Sequence, residues 1–146
     1  MKKIIAVSGH GNFASGLQSS IELLAGKNED VYFIDFTVDD TDVELKGKFK
    51  RILNENINSQ VLFICDILGG TPFKTAAEIA NDNEKIEVVA GCNVGSIIDA
   101  ILKRDRTPLG QLAEDIINSS RRSTMRFKKV VISEKISSIL PMEDGI

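Results

Sequence analysis

The strongest constraint on the fold is a regular alternation between short apolar runs and longer segments with helical periodicity. Four runs rich in β-branched residues indicate buried strands, at residues 4–8, 31–36, 61–65 and 86–90. In the intervening segments apolar residues recur every three or four positions, which indicates amphipathic helices. This alternation predicts an α/β domain whose parallel sheet is covered by helices on both faces, because parallel strands need crossover connections.

Helix starts are marked by capping residues. Thr41 and Glu44 form a capping-box pattern that predicts the start of the second helix. Thr71 is predicted at the N-cap of the third helix and Pro72 at its first helical position, where the missing N–H costs nothing. Thr107–Pro108 repeats this signal before the last helix.

The connections limit the order of the strands. Right-handed crossovers leave few topologies, and the flavodoxin-like order 2-1-3-4 is the natural one for four such strands. The chain then moves in opposite directions after strands 1 and 3, which opens a crevice at their carboxyl ends. Residues 127–132 predict a last strand. We therefore expect one doubly wound domain over residues 1–133, followed by a tail, residues 134–146, whose structure the sequence does not predict.

The composition excludes several classes of protein. The chain has 146 residues, of which 42% are hydrophobic and 27% charged, as expected of a globular domain. A net charge of −3 favours neither nucleic acid nor an anionic membrane, and the apolar runs are too short to cross a bilayer. We therefore expect a cytoplasmic protein. Cys65 and Cys92, with a single histidine, are too few ligands for a zinc site, so we predict buried thiols, no metal and no cofactor.

Residues suited to chemistry follow strands 1 and 3, and both segments fall at the predicted crevice. His10 stands between two glycines, and Asp66 stands where the chain leaves an apolar strand. A carboxylate bonded to one imidazole nitrogen fixes the tautomer of a nucleophilic histidine. Gly69, Gly70 and Thr71 lead into a helix N-terminus, which favours anions. These residues indicate a histidine site that handles an anion.

Each feature also has a structural explanation. A lone histidine is more often merely exposed, Asp66 could cap a turn, and the Gly-Gly-Thr-Pro segment could be only a tight connection. The phosphate-binding pattern G-x-x-x-x-G-K-[ST] is absent, and residues 9–11 match only the first half of G-x-G-x-x-G. Nucleotide or flavin binding is therefore a weak alternative. The coincidence of these features at one crevice favours anion chemistry.

Three segments resemble one known family. They are residues 4–11 (Ile-Ile-Ala-Val-Ser-Gly-His-Gly), 66–74 (Asp-Ile-Leu-Gly-Gly-Thr-Pro-Phe-Lys) and 87–93 (Glu-Val-Val-Ala-Gly-Cys-Asn). In order and spacing, over roughly residues 1–132, the chain resembles the enzyme IIA component of the mannose family of the bacterial phosphoenolpyruvate-dependent sugar phosphotransferase system. Lys74 departs from the family's usual asparagine and would change the surface that meets a partner.

The resemblance implies a phosphoryl carrier. His10 would accept the phosphoryl group from the carrier HPr and pass it to an enzyme IIB, which serves a sugar permease in the membrane. Asp66 would orient His10. The phosphoryl oxygens would be held by Gly69, Gly70, Thr71 and Asn93. The family is homodimeric, and its last strand, here residues 127–132, can lie antiparallel at the sheet edge and be exchanged between subunits.

Two other functions use the same histidine. The chain could be the phosphohistidine subunit that feeds a dihydroxyacetone kinase, or a regulatory module whose binding to a partner depends on phosphorylation. The sequence does not specify the transported sugar, because an enzyme IIA never touches it.

Overall fold

The computed structural model describes residues 1–130, which form one sheet of four parallel strands with helices on both faces. The strands are β1 (Lys3–His10), β2 (Val31–Phe36), β3 (Gln60–Cys65) and β4 (Ile86–Ala90). The helices are α1 (Phe13–Ala25), α2 (Asp42–Glu55), α3 (Thr71–Ala80), α4 (Val94–Lys103) and α5 (Leu109–Ser123), with a 3₁₀ turn at Arg104–Arg106. The strand order β2-β1-β3-β4 confirms the predicted topology.

The two faces of the sheet carry separate hydrophobic cores. Neighbouring residues of the central strand β1, such as Ile4 and Ile5, are both fully buried because one faces each core. Leu112 of α5 belongs to the core under α1, α4 and α5, and Phe49 of α2 belongs to the core under α2 and α3. Burial of one such side chain stabilises the fold by about 1.5–3 kcal/mol. The strand interiors therefore serve stability, and the strand ends are left for function.

Strand β1 is longer than the apolar run predicts. The run ends at residue 8, but β1 continues to His10 because Gly9 and His10 stay paired with Asp35 and Phe36 of β2. His10 is therefore the last residue of a strand rather than part of a loop. Pairing with a neighbouring strand fixes its backbone.

One helix start is as predicted and two are shifted by a residue. At α2, Thr41 is the N-cap, and its hydroxyl accepts a hydrogen bond from the Glu44 N–H at 3.2 Å. At α3 the N-cap is Gly70, so the prediction of Thr71 at the N-cap and Pro72 at the first position is wrong by one residue. The Lys74 N–H donates to the Gly70 carbonyl at 2.9 Å, which starts the helix earlier. At α5 the N-cap is likewise the proline of Thr107–Pro108, not the threonine.

The last described segment, residues 124–130, follows α5 without regular secondary structure. It contains residues 127–130 of the predicted last strand, which do not form a strand in the single chain. Residues 131 and 132 and the tail at 134–146 lie outside the described part, so the exchanged antiparallel strand stays a prediction. Among the helices of residues 1–130, none is long and apolar enough to cross a membrane.

Candidate active site at the carboxyl edge of the sheet

The end of β1 brings His10 against Asp66, which directly follows β3. The imidazole Nδ1 lies 2.7 Å from Asp66 Oδ2, and the same oxygen accepts the His10 backbone N–H at 2.9 Å. The Asp66 N–H in turn donates to the Ser8 carbonyl at 3.2 Å. The predicted pair is therefore present, and both the backbone and the ring of His10 are fixed by one carboxylate.

The carboxylate of Asp66 is mostly buried, whereas the histidine is half open to solvent. The side chains are 11% and 44% exposed, respectively. Burial by itself raises the pKa of Asp66, but hydrogen bonds from the His10 N–H, the imidazole and the Ile67 N–H outweigh it and leave that pKa below its ordinary value. Asp66 is thus ionised at neutral pH, and because a carboxylate only accepts hydrogen bonds, the tautomer that fits this contact carries its proton on Nδ1. The lone pair is then on Nε2, the nitrogen not held by Asp66.

Two further residues pack directly against the imidazole. The ring of Phe36, at the end of β2, meets it edge to face, with centroids 5.8 Å apart and an interplanar angle of 74°. A Cβ added to Gly70 would lie 2.8 Å from His10 Cε1, so only glycine leaves room for the ring there. Phe36 was not among the predicted site residues. The predicted strand order could have identified Phe36, because this residue pairs with His10 in the register between β1 and β2.

The N-terminus of α3 opens beside the histidine. Gly70, its N-cap, has no side chain to accept the first-turn N–H groups, and no acidic residue stands in that turn. Gly69 has a φ of +80°, which a residue with a side chain rarely adopts. Within residues 1–130 no acceptor binds the N–H groups of Thr71 and Phe73. Uncapped N–H groups and the helix dipole make this end a suitable place for an anion.

The fourth predicted phosphoryl ligand, Asn93, is engaged elsewhere. It is the N-cap of α4, where its Oδ1 accepts the Ser96 N–H at 3.0 Å. Its Nδ2 donates to Ser123 Oγ at 2.8 Å and also reaches the Ser120 carbonyl at 3.4 Å. The structure therefore brings His10, Asp66, Gly70 and the start of α3 together, and it directs the Asn93 amide toward α4 and α5.

A second carboxylate at this edge, which the sequence reasoning missed, belongs to Asp35 of β2. Asp35 Oδ1 accepts the Ser15 N–H in the first turn of α1 at 2.9 Å. The N-cap residue of α1, Asn12, makes no such bond with its own side chain. No local pattern predicts a cap from a neighbouring strand, because 20 positions separate the two residues.

The thiol nearest the site is not a competing nucleophile. Cys65 ends β3 and is fully buried, and burial together with the charge of Asp66 raises its pKa to about 12. A protonated, enclosed thiol is unreactive. Within residues 1–130 no group of three acidic, histidine or cysteine side chains could hold a metal ion. His10 is therefore the candidate nucleophile of this site.

Comparison with known proteins gives one consistent family. A family model described as the PTS system fructose IIA component matches residues 4–117. The PTS system mannose-specific EIIAB component of Escherichia coli (strain K12) is 34% identical over 105 residues, which are 71% of this chain and 32% of that protein. The chain thus spans about a third of the length of that relative. The PTS system fructose-specific EIIA component of Bacillus subtilis (strain 168) is 26% identical over 120 residues, 82% of each chain.

Solved structures share the fold. The phosphotransferase system component EIIA from Streptococcus agalactiae superimposes with a TM-score of 0.76 at 29% identity, covering 85% of this chain and 96% of that one. The mannose/sorbose specific IIA subunit from Enterococcus faecalis superimposes with a TM-score of 0.78 at 23% identity, covering 91% and 100%.

Proposed function

The chain belongs to the EIIA-man family of phosphotransferase-system IIA components, and on that premise we propose that it carries a phosphoryl group on His10 during sugar uptake. One observation carries the proposal. The 2.7 Å contact between His10 Nδ1 and Asp66 Oδ2 leaves Nε2 as the nucleophilic nitrogen of a half-exposed ring. Such a histidine needs a partner that brings the phosphoryl group to it.

In the transfer step, the phosphoryl group passes from the donor to His10 Nε2. The lone pair of His10 Nε2 attacks the phosphorus carried by the donor, and the N–P bond forms as the bond from phosphorus to the donor atom breaks. The donor keeps that electron pair. Asp66 stabilises the positive charge that develops on the imidazole, because its carboxylate already accepts the Nδ1 proton. Transfer to the acceptor runs the same step in the opposite sense.

The start of α3 supplies the charge stabilisation. We assign the phosphoryl oxygens to the turn at Gly69 and Gly70 and to the N-terminal residue Thr71. Among residues 1–130 the N–H groups of Gly69 and Thr71 have no other acceptor, and the Gly70 N–H makes only a long contact of 3.4 Å with the Ile67 carbonyl. The Cβ-less Gly70 lies against the imidazole, so a group on His10 starts close to these donors. Positioning and charge stabilisation are the main requirements of phosphoryl transfer.

The proposed partners are two proteins of the cytoplasm, HPr as donor and an enzyme IIB as acceptor, with a membrane permease served indirectly. We also propose a homodimer. Met125 and Phe127 are exposed apolar residues in the segment after α5, which supports pairing of this segment with a second copy. Sedimentation equilibrium should give twice the chain mass of 16.0 kDa. A monomer at micromolar concentration would contradict the dimer without affecting the phosphoryl carrier.

The central test is phosphorylation by a reconstituted donor system. The protein is incubated with phosphoenolpyruvate, enzyme I and HPr, and its intact mass is measured. We expect a gain of one phosphoryl group that is acid-labile and absent in His10→Ala. Addition of the cognate enzyme IIB should then remove it. Phosphorylation that persists in His10→Ala would disprove the assignment.

A further inference from the structure

A cleft lies at the edge of the sheet opposite to His10. Its walls are the last turns of α2 and α3 and the residues that lead into β3 and β4. Its volume is about 460 Å³, within the range of about 300–1,000 Å³ that is usual for small-molecule sites. Because parallel strands all start at one edge and end at the other, this cleft is separate from the phosphoryl site.

The floor of the cleft is aliphatic with one polar exception. Val61 and Ile86, at the starts of β3 and β4, are 1% and 5% exposed, and Leu53 and Ile79 line the cleft from the helices. The exception is Ser59, which is 8% exposed and whose hydroxyl makes no hydrogen bond with any of residues 1–130. A buried hydroxyl without a partner is costly, so Ser59 offers a polar contact to a ligand in this cleft.

The rim of the cleft carries positive charges and amides. Lys50 of α2 and Lys85 before β4 have no carboxylate partner within residues 1–130, whereas four other lysines do. Asn54 also lines the rim, and Asn83 accepts the Lys85 N–H through Oδ1 at 2.9 Å, which leaves its NH₂ group to donate. Among the described residues that line the cleft none is acidic, although the chain has 21 acidic and 18 basic residues.

A neighbouring groove along β4 has the opposite charge. It is larger, about 700 Å³, and it is lined by Asp82, Glu84 and Glu87 and by no lysine or arginine of the described residues. An anion near this edge is therefore repelled by the groove and attracted by the cleft. The two concave surfaces are adjacent, and their charges make only the cleft suitable for an anion.

We propose that the cleft binds a small amphipathic anion, a carboxylate or phosphate head group on a short aliphatic body. Lys50 and Lys85 attract the head group, Ser59 donates a hydrogen bond to it, and Val61 and Ile86 cover the aliphatic body. Each half of the site needs the other, because exposed lysines alone hold an anion weakly and an apolar floor alone does not select charge. The inference does not depend on the proposed phosphoryl transfer.

The test is a titration of the ¹⁵N-labelled full chain, followed by its amide chemical shifts. The probes are hexanoate, hexyl phosphate, hexylammonium and inorganic phosphate. We expect saturable shifts at Leu53, Ser59 and Ile86 with at least one of the two amphipathic anions, at a Kd of about 1 mM. The stronger of the two identifies the head group. Hexylammonium, with the same body and the opposite charge, should bind about tenfold more weakly or not at all, and inorganic phosphate should bind more weakly than either anion.

A matched pair of double variants isolates the two lysines of the rim. Lys50→Gln with Lys85→Gln should weaken the binding of the amphipathic anion by about tenfold. Lys27→Gln with Lys128→Gln removes the same charge from exposed positions outside the cleft and should change the affinity by less than about twofold. All four positions are exposed, so folding should be unaffected.

Four results would overturn the proposal. They are an absence of saturable shifts with both amphipathic anions, equal binding of hexylammonium, equal affinities of the two double variants, and shifts that cluster at His10 instead of the cleft. Phosphorylation of His10 by the donor system is measured separately, so a failure of the cleft leaves the phosphoryl carrier intact.

Discussion

The helices α3 and α4 both start at the carboxyl edge of the sheet, yet their N-termini are built in opposite ways. At α4 the Asn93 side chain accepts the Ser96 N–H and ties the turn to α5. At α3 the N-cap is Gly70, which has no side chain, and the imidazole of His10 occupies the space instead. The two helices share a topology but differ in what their first-turn N–H groups can bind.

The other two helices at this edge resemble α4. Asp35 accepts the Ser15 N–H at α1, and Thr41 accepts the Glu44 N–H at α2. Relative to a cap of this kind, a glycine N-cap such as Gly70 costs about a few tenths of a kcal/mol of stability. The cost falls at the helix that abuts the proposed nucleophile. A helix end that is left uncapped in the fold is available to a phosphoryl group.

The largest effect should come from removing the negative charge of Asp66, which lies beside the uncapped N-terminus of α3. Asp66→Asn keeps the size of the side chain but lets its amide nitrogen face Nδ1, which disfavours the reactive tautomer, and no longer stabilises the imidazolium. We expect phosphoryl transfer from HPr to fall by about 100-fold or more, measured by quenched-flow mass spectrometry. A rate within a few-fold of wild type would show that Asp66 is only structural.

The second-largest effect is expected from filling the space that Gly70 leaves for the imidazole at the N-terminus of α3. Gly70→Ala fits the backbone, since φ is −71°, but its Cβ would lie 2.8 Å from His10 Cε1. Relief of this contact moves the imidazole from the position that Asp66 fixes through Nδ1, and we expect transfer to slow by about 10- to 100-fold.

The matched control for that substitution lies in the capped helix. Gly95→Ala in the first turn of α4 would place its Cβ in ordinary contact, 3.8 Å from Asn93 Oδ1. Its transfer rate should equal that of wild type. Equal rates for the two alanine variants would mean that the contact at Gly70 does not position the histidine.

The sequence predicts the sheet of this protein more accurately than it predicts the ends of the helices. The strands at residues 31–36 and 86–90 coincide with β2 and β4, because apolar runs determine which segments are buried. The His10–Asp66 pair follows from the strand order, since neighbouring parallel strands end at the same edge.

The helix ends depend on contacts that no local pattern contains. Thr71 carries the favoured side chain for an N-cap, but the backbone bond from Lys74 to Gly70 starts α3 one residue earlier. From the sequence alone, Asn93 could equally cap a helix or bind a ligand. Its orientation as the cap of α4 depends on the hydrogen bond that its Nδ2 donates to Ser123 of α5. Asp35 reaches α1 from another strand, so its role appears only once the strands are assembled.

A smaller effect is expected at the capped helix. Asn93→Ala removes the acceptor for the Ser96 N–H and the link to Ser123. We expect the free energy of unfolding to fall by about 1 kcal/mol in urea titrations. Transfer by the folded protein should change by less than about twofold, because the cap serves the fold and not the phosphoryl group. A large loss of transfer with unchanged stability would instead place Asn93 in the phosphoryl site, as the family resemblance implies.

The smallest effect concerns acid. Hydrogen bonds from His10 and Ile67 outweigh burial and hold the pKa of Asp66 below the ordinary value of 3.8, so its ionised form stabilises the folded state. That contribution is complete above the unfolded pKa and is lost as the pH falls through the lower folded one. Below about pH 4, wild type should therefore lose stability more steeply than Asp66→Asn, whose amide does not titrate. Asn93→Ala should keep the wild-type acid slope, because an amide at α4 carries no proton equilibrium in this range. If the free energy of unfolding falls with pH equally steeply in wild type and in Asp66→Asn, the contacts of the Asp66 carboxylate do not stabilise its ionised form in the folded state.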